Sequence, residues 1–399
     1  MKSYDVVISE AGPAGCSAAL FLARKGHKVL LIDKARFPRQ KVYGEGLTAA
    51  SSALLEDLGV MERLRQSSGS LTEFSGVTLV SPVGTVLQGS IGQSGHLKGR
   101  CWVIPRTVLD ESLVSSAREH SSITFLDQTA VSGLIMDGDR ARGVSSSAGE
   151  FYGRVIIAAD GVYSPVAARL KRANHSRSQQ GFAMRAWFSE VDGLQDSIEL
   201  CYDNALLPGY GWIFPAGHKR ANVGVFLLTR FSEQRGMKRL FERFVAENPH
   251  AASRLDRALM EPGTLKSWPL PLGSFPGQRG QSNVLLAGDA GSFIDPLTGE
   301  GIYYALKSGH YAAEAAAWAL DGNCETEALR RYEQLWRQEF AFRVYSFGYA
   351  FQPLMKSRFF VNKFIWYTAR KQSRANLLAE VVVHKRPRRE LLKVFNPFL

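Results

Sequence analysis

Cysteine is scarce in this chain of 399 residues: Cys16, Cys101, Cys201 and Cys324 are the only four, far apart and never in C-x-x-C or beside a histidine. Such spacing argues against zinc, an iron–sulfur centre or a dithiol redox pair, and it suits a reducing cytosol. No uninterrupted apolar run reaches about eighteen residues, so no membrane-crossing helix is expected. The first strand begins by Tyr4, leaving no room for a signal peptide, and a cytoplasmic location is the expectation. None of the eight histidines stands in a metal or triad pattern, and the glycines around Ser292 do not spell G-x-S-x-G. Hydrolase chemistry therefore has no motif here. Repeats and long low-complexity segments are missing too. With 45% apolar and 22% charged residues, global disorder is excluded and the length allows two or three lobes around a large core.

Acid is nearly absent from the last sixty residues, where twelve Lys/Arg face only Glu380 and Glu390, a local excess of ten in a chain of net charge +12. The same stretch holds thirteen of the forty-three aromatics, Phe359, Phe360, Phe364, Trp366 and Tyr367 among them. Basic and greasy together, it reads as a docking surface for an acidic partner, either an anionic membrane or a carrier protein. It reads equally as a helical lobe that buries its own aromatics under a solvated basic face. Nothing resembles a groove-reading module, so nucleic acid is not an expected partner.

What is present begins at the opening strand. Tyr4 to Ile8 is an apolar run, Pro13 to Lys25 has helical periodicity, and Gly26 is a natural C-cap. A second apolar run ends at Asp33, eighteen residues beyond Gly15, where a carboxylate suits an adenosine ribose. The unit is strand, turn, helix, strand, and its turn Glu10-Ala-Gly-Pro-Ala-Gly15 is G-x-G-x-x-G with Glu10 in place of the first glycine. A carboxylate about 5 Å from one phosphate charge at an effective dielectric of ~20 costs about 3 kcal/mol, or two decades of affinity. Two readings stand: a working dinucleotide site that tolerates Glu10, or one that holds its ligand loosely or has lost it.

Further along, Arg106 opens an amphipathic helix with Leu109, Leu113 and Val114 on one face, and Gly153 to Asp160 is a buried strand ending in Asp-Gly. From Gly181 to Leu228 aromatic and β-branched residues predict a mostly antiparallel sheet. Tyr210, Trp212 and Phe214 alternate along one strand and so share a side, as pocket wall or as ordinary core. The strand Asn283 to Ala287 ends in Gly288-Asp289, and Asp295-Pro-Leu-Thr-Gly-Glu-Gly301 leads into a long alanine-rich helix.

These three blocks, Glu10 to Gly15, Asp160-Gly161, and Gly288-Asp289 with Pro296 to Gly301, resemble the FAD fold of geranylgeranyl reductases, para-hydroxybenzoate-hydroxylase-type monooxygenases and flavin-dependent halogenases, over approximately residues 4 to 320. The stretches Arg36-Phe-Pro-Arg39, Lys41-Val-Tyr-Gly-Glu-Gly46 and Pro208-Gly-Tyr-Gly-Trp-Ile-Phe-Pro215 are most similar to the geranylgeranyl reductase branch. Tyr43 stands where that family often has cysteine. Halogenases typically carry W-x-W-x-I-P, which this chain lacks.

The resemblance implies an α/β protein with a Rossmann-like FAD-binding domain of the glutathione reductase type at 1–75, 100–180 and 271–325. It further implies an inserted antiparallel β-sheet substrate domain at 76–99 and 181–270 and a basic, aromatic helical C-terminal region at 326–399. It assigns Gly12, Ala14 and Gly15 to the FAD pyrophosphate, Asp33 to the ribose, Arg39 and Arg106 to the cofactor, and Asp160 to the region where a reductant enters. Asp289 would hold the ribityl chain, Pro296 would belong to the cofactor-binding turn, and Gly299 and Gly301 would bring N–H groups to the isoalloxazine.

FAD is the expected cofactor. No second G-x-G-x-x-G exists for a resident nicotinamide, so a visiting NADPH or a ferredoxin-like donor is implied. The expected reaction is hydride transfer from reduced flavin to a hydrophobic, isoprenoid- or polyketide-like substrate, small-molecule or carrier-bound. The rivals are oxygen chemistry in the same cleft and, because of Glu10, non-redox binding or cyclisation. Tyr43, Glu45, Tyr210, Trp212 and Phe214 are the pocket candidates, and no side chain is assigned as the acid.

Overall fold

A computed structural model of the chain describes residues 3–41, 44–67, 71–92, 100–172, 176–231, 236–274 and 277–395. The first strand, β1 (Ser3–Ser9), owes its place to Val6, Val7 and Ile8, which are wholly buried. Strands covered on both faces read as continuous apolar runs. β1 pairs in parallel with β2 (Val29–Ile32) on one side and with Gly149–Ala158 on the other. Ile123–Leu126 and Val284–Leu286 extend the parallel sheet outward, while Val131–Asp137 and Arg140–Ser146 add an antiparallel hairpin beside Gly149–Ala158.

Between β1 and β2 runs α1 (Pro13–Arg24), opened by Pro13 at its first position. It closes on a Schellman turn in which Gly26, at φ 86°, donates its N–H to Ala23 while His27 donates to Leu22. Small residues set how closely α1 meets the long helix Ile302–Asp321. A Cβ added at Gly309 would lie 2.2 Å from the Ala14 carbonyl oxygen, and one at Gly15 would lie 2.0 Å from that of Glu10.

The second sheet runs in the order Leu259–Met260, Gln180–Ser189, Ala221–Leu228, Tyr210–Pro215, Ser197–Cys201, Gly76–Val80, Val86–Ser90. It is antiparallel except where Ser197–Cys201 meets Gly76–Val80. Its outer face is covered by the helices Met237–Glu247 and Pro249–Leu255 through Leu240, Phe241, Phe244 and Leu255. Its inner face meets the C-terminal helices Phe347–Lys356, Arg358–Ala369 and Gln372–Val382. There the approach is close enough that a Cβ at Gly89 would stand 2.1 Å from the Ala375 carbonyl oxygen. The mixed α/β architecture with a helical C-terminal part is the one expected. None of the helices among the described residues is long and apolar enough to cross a membrane.

Candidate functional site: a charged crevice beside an apolar cavity

The carboxyl ends of β1, β2 and Gly149–Ala158 converge on a crevice of about 330 Å³, where ligands of open α/β sheets bind. At its floor α1 begins with Gly12 as N-cap, with no side-chain cap and no acid in the first turn. The free N–H groups and the positive end of the helix dipole therefore face the crevice. Gly12, Ala14, Arg39, Arg106, Asp160, Asp289 and Gly301 all line it. Gly15, Asp33, Pro296 and Gly299 do not. Gly15 serves the packing of the turn instead. Pro296 is covered by the Phe347–Lys356 helix, where Gln352 Nε2 donates to its carbonyl at 2.7 Å. Gly299 takes a positive φ of 71°, which turns the chain before Gly301.

Asp33 is wholly buried, and its carboxylate already accepts from Ala11 N at 2.8 Å, Ala35 N at 2.8 Å and Arg39 Nη1 at 2.7 Å. Asp33, expected at the ribose, anchors Arg39 over the helix mouth, where Arg39 Nη2 lies 3.5 Å from where a Gly12 Cβ would stand.

Glu10 adopts φ 68°, the left-handed region that glycine favours. Its carboxylate is 2.6 Å from Lys34 Nζ and 3.7 Å from both Arg39 Nη1 and Lys41 Nζ. The repulsion anticipated from the sequence is thus met by three cations, of which Lys34 stands in no quoted motif and Lys41 opens one that assigned it no role. Opposite them stand Asp160 and Asp289, each pushed up to about 6 by burial.

Across Gly301 and Ile302, which line both spaces, lies a second cavity of about 190 Å³. Tyr210, Trp212 and Phe214 share it as their alternation predicts, joined by Leu79, Ile198 and Leu200 from the same sheet. Trp212 is held by an Nε1–H bond of 2.8 Å to Asn222, and the Tyr210 hydroxyl donates to the Thr298 carbonyl. Glu45 lines it as well, but is buried against Arg185 at 3.0 Å. Tyr43 lies outside the described residues. The far wall comes from the C-terminal helices, with Phe351, Val361, Phe364 and Leu378.

Sequence reasoning missed Thr48, Glu300, His384 and Arg388 in this cavity. Glu300 was within the motif read for its glycines. His384, from a chain region without motifs, carried no signal at all.

A family model described as an FAD binding domain matches residues 3–347. The chain belongs to the FAD-binding-domain family. A menaquinone reductase of Mycobacterium tuberculosis is 33% identical over 322 residues, 78% of this chain and 76% of that relative. A digeranylgeranylglycerophospholipid reductase of Methanococcoides burtonii is 32% identical over 352 residues, 84% of this chain and 80% of the relative. In fold the chain is similar to a geranylgeranyl bacteriochlorophyll reductase-like protein of Thermoplasma acidophilum, with a TM-score of 0.83, 22% identity and full coverage of both chains. It is similar also to a flavin-dependent brominase, with a TM-score of 0.76, 20% identity and coverage of 99% and 98%. The superfamily resemblance read from the motifs holds, and this flavoprotein is an FAD-dependent oxidoreductase.

The crevice fits FAD on its own terms. The uncapped start of α1 offers donors to a diphosphate, and Lys34 and Lys41 together outweigh the Glu10 carboxylate between them. Among the described residues, Asp160 Oδ1 is buried without a hydrogen-bond partner in the crevice wall, an acceptor suited to a ligand hydroxyl or N–H.

Proposed function

We propose that this protein reduces a carbon–carbon double bond in a long isoprenoid chain held in the apolar cavity, using electrons from FAD in the crevice. The observation that carries the reading is the shared wall. Gly301 and Ile302 belong to both spaces, so a chain threaded past Trp212 and Phe214 ends against the cofactor. FAD supplies hydride chemistry. The protein supplies orientation and exclusion of water. Leu79, Ile198, Leu200, Val361 and Leu378 offer an apolar bed, in which each buried methylene is worth about 0.8 kcal/mol. The names of the menaquinone and digeranylgeranylglycerophospholipid reductase relatives, both acting on prenylated molecules, support this substrate class.

Such a substrate resides in lipid, and the C-terminal face supports delivery from an anionic bilayer. On the helix Arg358–Ala369, Phe359 and Trp366 lie seven residues apart on one exposed side, with Lys363 and Arg370 packed against their rings. Apolar tips between cations suit an acidic lipid surface.

The test is anaerobic reduction of the FAD-loaded protein followed by addition of geranylgeraniol or a prenylated quinone. Reoxidation of the flavin with loss of one double bond per flavin is the expected result. Reoxidation by oxygen alone, with hydroxylated product, would replace the reductase reading with an oxygenase one. A purified protein that stays colourless with excess FAD would remove redox chemistry altogether.

A further inference from the structure

Saturating a double bond takes a hydride at one carbon and a proton at the other, and the reductase reading leaves that proton without a source. Few ionisable side chains line the apolar cavity among the described residues: Glu45, Tyr202, Tyr210, Glu300, His384 and Arg388. Glu45 is committed to Arg185 and Arg388 to Asp295. Burial pushes the phenols of Tyr202, to about 12, and Tyr210 upward, which leaves them weak acids.

Glu300 and His384 remain, and they meet. His384 Nε2 is 3.1 Å from Glu300 Oε2, while Thr48 Oγ1 donates to Glu300 Oε1 at 3.2 Å. The Tyr303 and Tyr304 rings stand edge-on to the imidazole at 5.3 and 5.7 Å and fix its position. Glu300 lines the cavity and directly precedes the two residues shared by cavity and crevice, so its backbone stands beside the wall the two spaces share.

We propose that Glu300 donates the proton to the alkene carbon that does not receive the hydride, and that His384 positions its carboxyl and passes it the next proton. The inference rests on the reductase reading above. In the balanced step the hydride brings two electrons and forms one C–H bond. The π bond breaks, and its pair takes the Glu300 proton to form the second. The carboxylate left behind is reprotonated from solvent through His384, and the flavin regains its electrons from an external reductant such as dithionite.

Burial supports this assignment from the energetic side. It raises Glu300 to about 8 and lowers His384 to about 4, and both directions favour the uncharged forms of the pair. The groups facing Glu300 are the Thr48 and Ser51 hydroxyls, the backbone at Tyr303 and the imidazole itself, and the charged group acting on His384 is Glu339.

Two measurements on FAD-loaded protein test the assignment. The first is the infrared C=O stretch of a protonated carboxyl at pH 7, in the wild type against Glu300→Gln. The second is a single turnover of dithionite-reduced protein with geranylgeraniol in deuterated water, where both the hydride and the acid proton become deuterium, with the position and face of each product deuterium assigned by NMR. We expect the band to vanish in Glu300→Gln. That variant should keep its FAD spectrum and its geranylgeraniol binding, yet slow by about 10²-fold or more, the usual worth of a placed acid. The wild type should place deuterium on a single face at the carbon that receives the proton, and Glu300→Gln should lose the preference at that carbon, which a purely structural residue would not change. His384→Gln should keep the band and slow less. A band unaffected by Glu300→Gln, or a variant within about threefold of wild type, overturns the assignment. A wild type that shows the band but leaves geranylgeraniol unreduced overturns the reductase reading, and the proton-donor role falls with it.

Discussion

The crevice and the apolar cavity share a wall yet are built on opposite principles. The crevice is made by backbone and charge at the ends of three neighbouring strands, where glycine spacing and a helix terminus do the recognising. The cavity is made by apolar side chains from segments as distant as Leu47, Leu200, Phe351 and Leu391, none of which recognises anything alone. One site can be lost to a single added methyl group. The other can only be reshaped gradually, because its affinity is a sum over area.

The sharpest break in that comparison is Gly15→Ala. Its new Cβ would sit 2.0 Å from the Glu10 carbonyl oxygen, a backbone atom that cannot step aside. Overpacking of this kind costs about 1–3 kcal/mol, and because the displaced atoms are the cofactor's own cradle, FAD affinity should fall by about two decades. Absorbance titration measures the affinity and thermal melting the stability, while binding of a fluorescent prenyl probe to the cavity should survive. Loss of both ligands together would mean that the two spaces are not independent.

The converse is Leu200→Trp, which fills the cavity from the sheet side and leaves the strand ends untouched. Displacing three or four methylenes of a bound chain should weaken prenyl binding by about 3 kcal/mol, with the FAD spectrum unchanged. Calorimetry against prenyl alcohols of increasing length should show the loss growing with length. A loss equal for all lengths would put the chain elsewhere.

This contrast also explains what was legible in the sequence. The crevice was readable because its determinants are local: Gly12 and Gly15 in a turn, and Asp289 at the close of a strand. Asp33 was read for its chemistry but not for its neighbour, since the Arg39 guanidinium that takes up its carboxylate reaches it through a loop with no periodicity. The cavity was half readable. Alternation placed Tyr210, Trp212 and Phe214 on one side, but the opposite wall and His384 arrive from helices whose docking no residue spacing encodes. Glu300 shows a third case, a residue seen in its motif and passed over because glycine neighbours explained the motif without it.

Within the crevice, Glu10→Gly sharpens the comparison by returning the turn to backbone recognition. The substitution relieves a left-handed φ that costs a non-glycine residue about 1–2 kcal/mol. It gives up an ion pair with the exposed Lys34 that is worth little, together with the longer contacts to Arg39 and Lys41 at 3.7 Å. Lys34 and Lys41 would then face the diphosphate without the Glu10 carboxylate between them, while Arg39 stays paired with Asp33. FAD affinity should rise about tenfold, equivalent to about 1.4 kcal/mol, with a higher melting temperature for the cofactor-free protein. Equal FAD affinity in both forms would show that the three cations already cancel Glu10.

The smallest effect belongs to the surface that would feed the cavity. Removing one cation beside an anionic membrane costs about 1 kcal/mol, so Lys363→Ala should weaken co-sedimentation with phosphatidylserine-containing vesicles about fivefold and leave turnover on detergent-dispersed substrate unchanged. Trp366→Ala should cost more at low phosphatidylserine and less at high, because its contribution is apolar area rather than charge. Raised salt should mimic the lysine variant and not the tryptophan one, since screening acts only on the charge. If both variants bound vesicles as the wild type does, Phe359 and Trp366 would be surface apolar residues without a lipid partner. The chain-length dependence of Leu200→Trp would still stand, because the cavity's selectivity does not depend on how its ligand arrives.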